Sequence, residues 1–184
     1  MTLTIIDAGS VPDAALPLND LAAMLRLPDG WRDEAARAER LRHLLRAATR
    51  DVEARTGQVL LARTVVLDGN APGGREMMLP VKPASTVVSM TIDGRPMAAG
   101  TVTLRSDSRG VWLVLDRAVV AGAAVTAAVR AGHEAWDDVP APLREAVLLT
   151  AEAFDTGPRA ATPSSGLIGA LLAPFRPRRL RGAS

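Results

Sequence analysis

The sequence predicts an α+β fold: a small helical core of two N-terminal helices plus a C-terminal helix, an inserted antiparallel β region, and an extended C-terminal tail. Three observations carry this. Apolar residues recur at three- and four-residue steps within 19–56 and again within 142–155. Between those stretches, residues 59–130 break into short β-branched runs separated by turn residues. The 184-residue chain is 48% hydrophobic and 23% charged, an ordinary globular composition, and a chain of this size buries roughly 70% of its unfolded surface. The expected organisation is one domain over 1–155, a linker at 156–166 and a tail at 167–184.

The first helix is expected to begin with Asn19 as its cap and to place Leu21, Met24 and Leu25 on one face. Pro28-Asp29-Gly30 then stops it. A longer helix follows, from Asp33 as cap to Arg55 or Thr56, with Leu41, Leu44, Leu45, Ala48 and Val52 as its inward stripe and Gly57 as its stop. Asp33 and Glu34 at its start and Arg50 and Arg55 near its end suit the helix dipole.

Strands are expected at 59–68 and 76–79, flanking the turn-rich segment 69–74. The run 86–92 alternates, which puts Val88, Met90 and Ile92 on one face, and Asp93-Gly94 makes the next tight turn. Strands at 101–105 and 111–115 bracket 106–110, and a last strand at 125–130 turns Val125, Ala127 and Val129 one way. Short connections argue for antiparallel pairing. Pro142 suits the first turn of the final helix, whose inward stripe is Leu143, Ala146, Val147, Thr150 and Phe154, and Gly157-Pro158 ends it.

Little here points to chemistry. The absence of cysteine removes disulfides, thiolate ligands and thiol nucleophiles, and fits a reducing compartment without fixing one. Residues 1–10 have no basic side chain and lack the pattern of a secretory signal. The apolar stretches 118–129 and 167–172 are shorter than the ~18 residues a membrane helix needs, so no membrane partner is expected.

His43 and His133 are the only histidines and suggest a helix surface and a turn rather than a base or a metal site. Gly73-Gly74-Arg75 lacks the lysine and following helix of a phosphate loop and reads as a hairpin turn. Asp107, Asp137 and Asp138 match no calcium loop. No catalytic residue, cofactor or metal is expected.

Charge is concentrated at one end. No acidic residue follows Asp155, whereas Arg159, Arg176, Arg178, Arg179 and Arg181 do, so residues 1–155 are net acidic although the whole chain carries +2. Beside those arginines stand Leu167, Ile168, Leu171, Leu172, Pro174, Phe175 and Leu180. Large apolar residues are unusual in a disordered end, so docking on a partner competes with a frayed terminus; composition leaves both open. Aromatic content is 3%, with no tyrosine, which argues against a base-reading module. A nucleic-acid-binding module using the arginine-rich tail remains the alternative, and a small enzyme the lesser one.

Several motifs occur in a suggestive order. They are the run 18–27 (LNDLAAMLRL), the helix ending Arg50-Asp51-Val52-Glu53-Ala54-Arg55-Thr56-Gly57, Leu79-Pro80 leading to Val87-Val88-Ser89-Met90, Ala131-Gly132 followed by 139–146, and Leu171-Leu172-Ala173-Pro174-Phe175-Arg176. Together they resemble the head-tail connector, or adaptor, proteins of long-tailed phages and phage-derived gene transfer agents over almost the whole chain. His133 stands where that family commonly has an aromatic, and Phe175 where one branch has tyrosine.

The resemblance implies a virion structural protein assembled in the bacterial cytoplasm and located at the head-tail junction. Its copies would form a dodecameric ring between the portal and the next connector, or stopper, with DNA passing through the channel and touching it without sequence preference. With the tail's apolar and basic composition, the expectation is that the tail docks on the portal through Leu167, Ile168, Leu171, Leu172, Pro174, Phe175, Arg176, Arg178, Arg179 and Arg181, the competing role being that these arginines line the channel and touch DNA phosphates.

Overall fold

In the computed structural model, which describes residues 3–98, 100–157 and 164–176, the chain divides into two compact units. The helical unit is drawn from Pro12–Leu60 and Ala135–Ser184, the β unit from Met1–Val11 and Leu61–Glu134. The fold is α+β.

The helical unit contains α1 (Leu18–Met24), α2 (Ala35–Thr56), α3 (Ala141–Thr156) and α4 (Ser164–Leu172). On α2, Leu41, Leu44, Leu45, Ala48 and Val52 are all buried, as their spacing requires, and α2 packs against α3 with α1 touching both. Each fully buried leucine contributes about 1.5–3 kcal/mol relative to exposure. Gly57 ends α2 in the left-handed region at φ 65°, where its N–H donates to the Glu53 carbonyl. On α3, Leu143, Ala146, Val147 and Thr150 face inward, and the Thr150 hydroxyl donates to the Ala146 carbonyl at 2.7 Å, so its burial leaves no polar atom unpaired.

Three helix expectations need correction. Asn19 does not cap α1: the helix starts at Leu18 with Pro17 in the cap position, and the Asn19 amide oxygen accepts from Arg32 instead. Asp33 does not cap α2: its own N–H closes a turn onto the Gly30 carbonyl, and Glu34 stands at the cap position without a side-chain capping bond, its carboxylate pairing with Arg37 instead. Phe154 is 47% exposed rather than inward. Its neighbour Asp155 takes the side facing α2, where it pairs with Arg40.

Among its described residues the β unit holds eight strands: β1 (Thr4–Asp7), β2 (Arg63–Asn70), β3 (Gly74–Leu79), β4 (Ala84–Ile92), β5 (Arg95–Pro96), β6 (Val102–Asp107), β7 (Gly110–Val119) and β8 (Ala124–Ala131). They form a five-stranded sheet ordered β1-β2-β8-β4-β5 and a three-stranded sheet ordered β3-β7-β6. Every ladder is antiparallel. Val65, Leu67, Val125, Ala127 and Val129 of one sheet and Leu113, Leu115, Met77 and Leu79 of the other are buried, the period-two pattern of strands with one covered face.

Two turns follow their chemistry. Asp93 and Gly94 take φ 49° and 74° and join β4 to β5 as a tight hairpin. Between β6 and β7 the Asp107 carboxylate accepts the backbone N–H groups of Arg109 and Gly110, at 2.8 and 3.1 Å. The Arg109 bond is the main cause that lowers the Asp107 pKa below the usual carboxylate value.

The strand expectations also shift in places. The strand placed at 59–68 begins only at Arg63, because the Leu60 N–H is taken by the Glu53 carboxylate at 2.7 Å before a ladder can start. Gly73-Gly74 is no hairpin: β2 and β3 belong to different sheets, and the two glycines, at φ 94° and 87°, carry the chain across. Val88 does not share the inward face of Met90, since the register slips between Val87 and Ser89 and leaves Val88 58% exposed. At the other end of the same ladder Gly132, at φ 103°, passes so close to Leu61 that a Cβ would lie 2.5 Å from its carbonyl.

Candidate docking site

The tail segment singled out by composition is helical where it is described. α4 has no charged residue, and its Ile168 and Leu172, one turn apart, fall on a single face. Both are buried, at 5% and 0% exposure, where α4 lies along α3 and reaches α2. The expected docking set therefore divides. Ile168 and Leu172 are committed to the chain's own helical unit.

Leu167 is 52% exposed and Leu171 is half-buried. Ala173–Phe175 continues as a single 3-10 turn, with Pro174 exposed, Phe175 half-buried and Arg176 exposed. Arg178, Arg179 and Arg181 lie outside the described residues, as do 158–163 of the expected linker. That linker is shorter than expected at both ends, because Thr156 closes α3 and residues 164–166 open α4. The i, i+4 spacing of Ile168 and Leu172 was the signal for an inward stripe; the density of apolar residues around it masked the signal.

Electrostatics around this site are largely self-contained. Arg40 of α2 pairs with Asp155 of α3 at 2.8 Å. Arg42 and Arg46 share Asp13 and Glu39, and the Asp13 hydrogen bond is the main cause that raises the Arg46 pKa above its ordinary value. Arg144 reaches Asp137 at 2.7 Å, and the Trp136 indole donates to Asp20 at 2.9 Å. The cations of α2 are thus mostly answered by the chain's own carboxylates.

Asp138 accepts the Ala135 N–H, so with Asp137 it holds a short 3-10 turn. The His133 carbonyl accepts the Ala62 N–H at 2.9 Å beside a bridge from Leu61 to His133, a structural use of that position. Among the described residues no three histidine, aspartate or glutamate side chains are placed to hold a metal ion, and no helix is long and apolar enough to cross a membrane.

No protein family and no curated protein matches this chain. Solved structures do. A chain from the neck of an empty GTA particle, computed with C6 symmetry, is 28% identical with a TM-score of 0.77, the match covering 100% of this chain and 99% of that one. A chain of the virion of a native gene transfer agent (GTA) particle gives the same identity, TM-score and coverage. A third, from the neck of a native GTA particle computed with C12 symmetry, is 26% identical with a TM-score of 0.70, again over 100% and 99% of the two chains. The chain is therefore similar from end to end to structural components of gene transfer agent particles.

Proposed function

We propose that this chain is a structural subunit of the neck of a gene transfer agent or related phage-like particle, and within the neck its adaptor ring. The observation that carries the reading is the end-to-end likeness to GTA neck chains at 28% identity and a TM-score of 0.77. The C6 and C12 symmetries of those necks support a cyclic assembly of copies. In this reading the ring, a dodecamer, sits between portal and stopper and surrounds the DNA path, with no catalytic step of its own.

The outward part of the C-terminal segment, Leu167, Leu171, Pro174 and Phe175, meets apolar portal surface, while Arg176, Arg178, Arg179 and Arg181 pair with acidic portal groups or DNA phosphates. Ile168 and Leu172 contribute by seating α4. Electron microscopy of particles from the producing cell is the test. Density for this chain in a closed ring at the head-tail junction is expected, and a chain ending at residue 166 should leave heads without tails. A single copy at the junction, or normal tailed particles from the truncated chain, would overturn the reading.

A further inference from the structure

At one end of the β unit a groove of about 440 Å³ lies between the β4–β5 hairpin and the end of β7. Its lining includes the apolar side chains of Ile92, Met97 and Val119 together with Arg95 and Arg117. Both arginines are exposed, and neither guanidinium makes an ion pair or hydrogen bond among the described residues. That contrasts with Arg40, Arg46, Arg105, Arg130 and Arg144, which all hold carboxylates. Asp93 at the rim already accepts the Ala124 N–H at 2.8 Å. Two cations against one engaged carboxylate leave the groove positive beside its apolar lining residues.

The helical unit offers the complementary chemistry in the loop 28–34. Two successive turns shape it, Trp31 N–H to the Pro28 carbonyl and Asp33 N–H to the Gly30 carbonyl, with Gly30 at φ 88°. Arg32 lies 5.2 Å over the Trp31 ring and is itself held by Asn19. The loop is thereby pre-shaped, so little ordering cost remains for binding. It presents Asp29 and Asp33, both exposed and without a cationic partner among the described residues, around a half-buried tryptophan.

We propose that the groove of one copy receives the 28–34 loop of a second copy, Asp29 and Asp33 pairing with Arg95 and Arg117 while Trp31 covers Ile92, Met97 and Val119. The inference rests on the ring reading. A cyclic assembly of more than two copies joins each subunit to its neighbours through two different, mutually complementary surfaces, and groove and loop form such a pair. DNA phosphates would satisfy the arginines but would leave Ile92, Met97 and Val119 uncovered. An acidic loop centred on tryptophan satisfies both, and buried tryptophan is a common energetic anchor of interfaces.

Charge exchange tests this in particles carrying full-length chains. Arg95→Glu with Arg117→Glu, or Asp29→Arg with Asp33→Arg, should each lower the fraction of particles bearing a ring by at least about tenfold, and all four changes in one chain should restore it to within about threefold of wild type. The four side chains are exposed, so thermal unfolding of every variant should match wild type. Normal rings in either double variant would overturn the proposal, as would failure of the fourfold exchange to restore them. Normal rings with reduced DNA content would reassign the arginines to DNA. If wild-type particles themselves carry no ring, the ring reading fails first, and that result is distinct from every variant outcome.

Discussion

Helices α2 and α4 each bury a leucine completely, Leu45 and Leu172, yet they are fastened in different ways. α2 sinks eight side chains along its 22 residues and adds ion pairs through Arg40, Arg42 and Arg46. α4 has nine residues, no charge, and two buried anchors. The difference teaches that one helical unit holds one helix by many anchors and another by few. With two buried anchors, α4 is expected to lie nearer the low-stability end of the molecule than α2.

The strongest way to break this contrast is Leu45→Ala, expected to cost about 3–5 kcal/mol because the surroundings cannot collapse into the space. Urea denaturation should show one cooperative transition at a lower midpoint. Leu172→Ala removes the same atoms, but undocking of α4 limits the loss, so about 1–2 kcal/mol is expected. Amide exchange along 164–172 should then accelerate while that of α2 stays slow. Equal global losses from the two variants would erase the distinction. Arg40→Ala breaks the Arg40–Asp155 pair, whose side chains are 64% and 30% exposed. About 0.5 kcal/mol is expected, reduced further by salt.

A control outside both helices is Asp107→Asn. The Asp107 pKa is lowered in the folded chain, first by the Arg109 N–H. Its contribution is therefore fully present above the ordinary carboxylate range and is lost as pH falls through the lowered folded value. Unfolding midpoints of wild type and Asp107→Asn should converge as pH falls from neutrality through and below the ordinary carboxylate range. A constant offset across that range would remove the carboxylate from the account.

Sequence reading recovered those elements whose pattern is long or chemically constrained. The α2 stripe spans several turns, and Asp93-Gly94 has few uses besides a tight hairpin, so both were legible. β1 was missed because Thr4–Asp7 is four residues with every side chain exposed, leaving no alternation to find. The slip beside Val88 and the crossing at Gly73-Gly74 depend on which strands pair. Those partners lie far apart in the chain, as with β1 and β2, or Asp68 opposite Thr126. At the candidate docking site the apolar character of 167–175 was visible, while the division between Leu167 outside and Leu172 inside required knowing that α3 and α2 lie alongside.

The long excursion between α2 and α3 also has a consequence during synthesis. α2 ends at Thr56, and its packing partner α3 does not begin until Ala141. At about 5–20 residues per second the ribosome needs roughly 4 to 17 s to supply the intervening segment. Throughout that interval the Leu41, Leu44, Leu45 and Val52 side chains have no α3 to cover them, a nascent surface of the kind chaperones hold. β8, which completes the five-stranded sheet, emerges before α3. The β unit can therefore close on the ribosome while the helical unit is still waiting, and α4 is the last helix to seat.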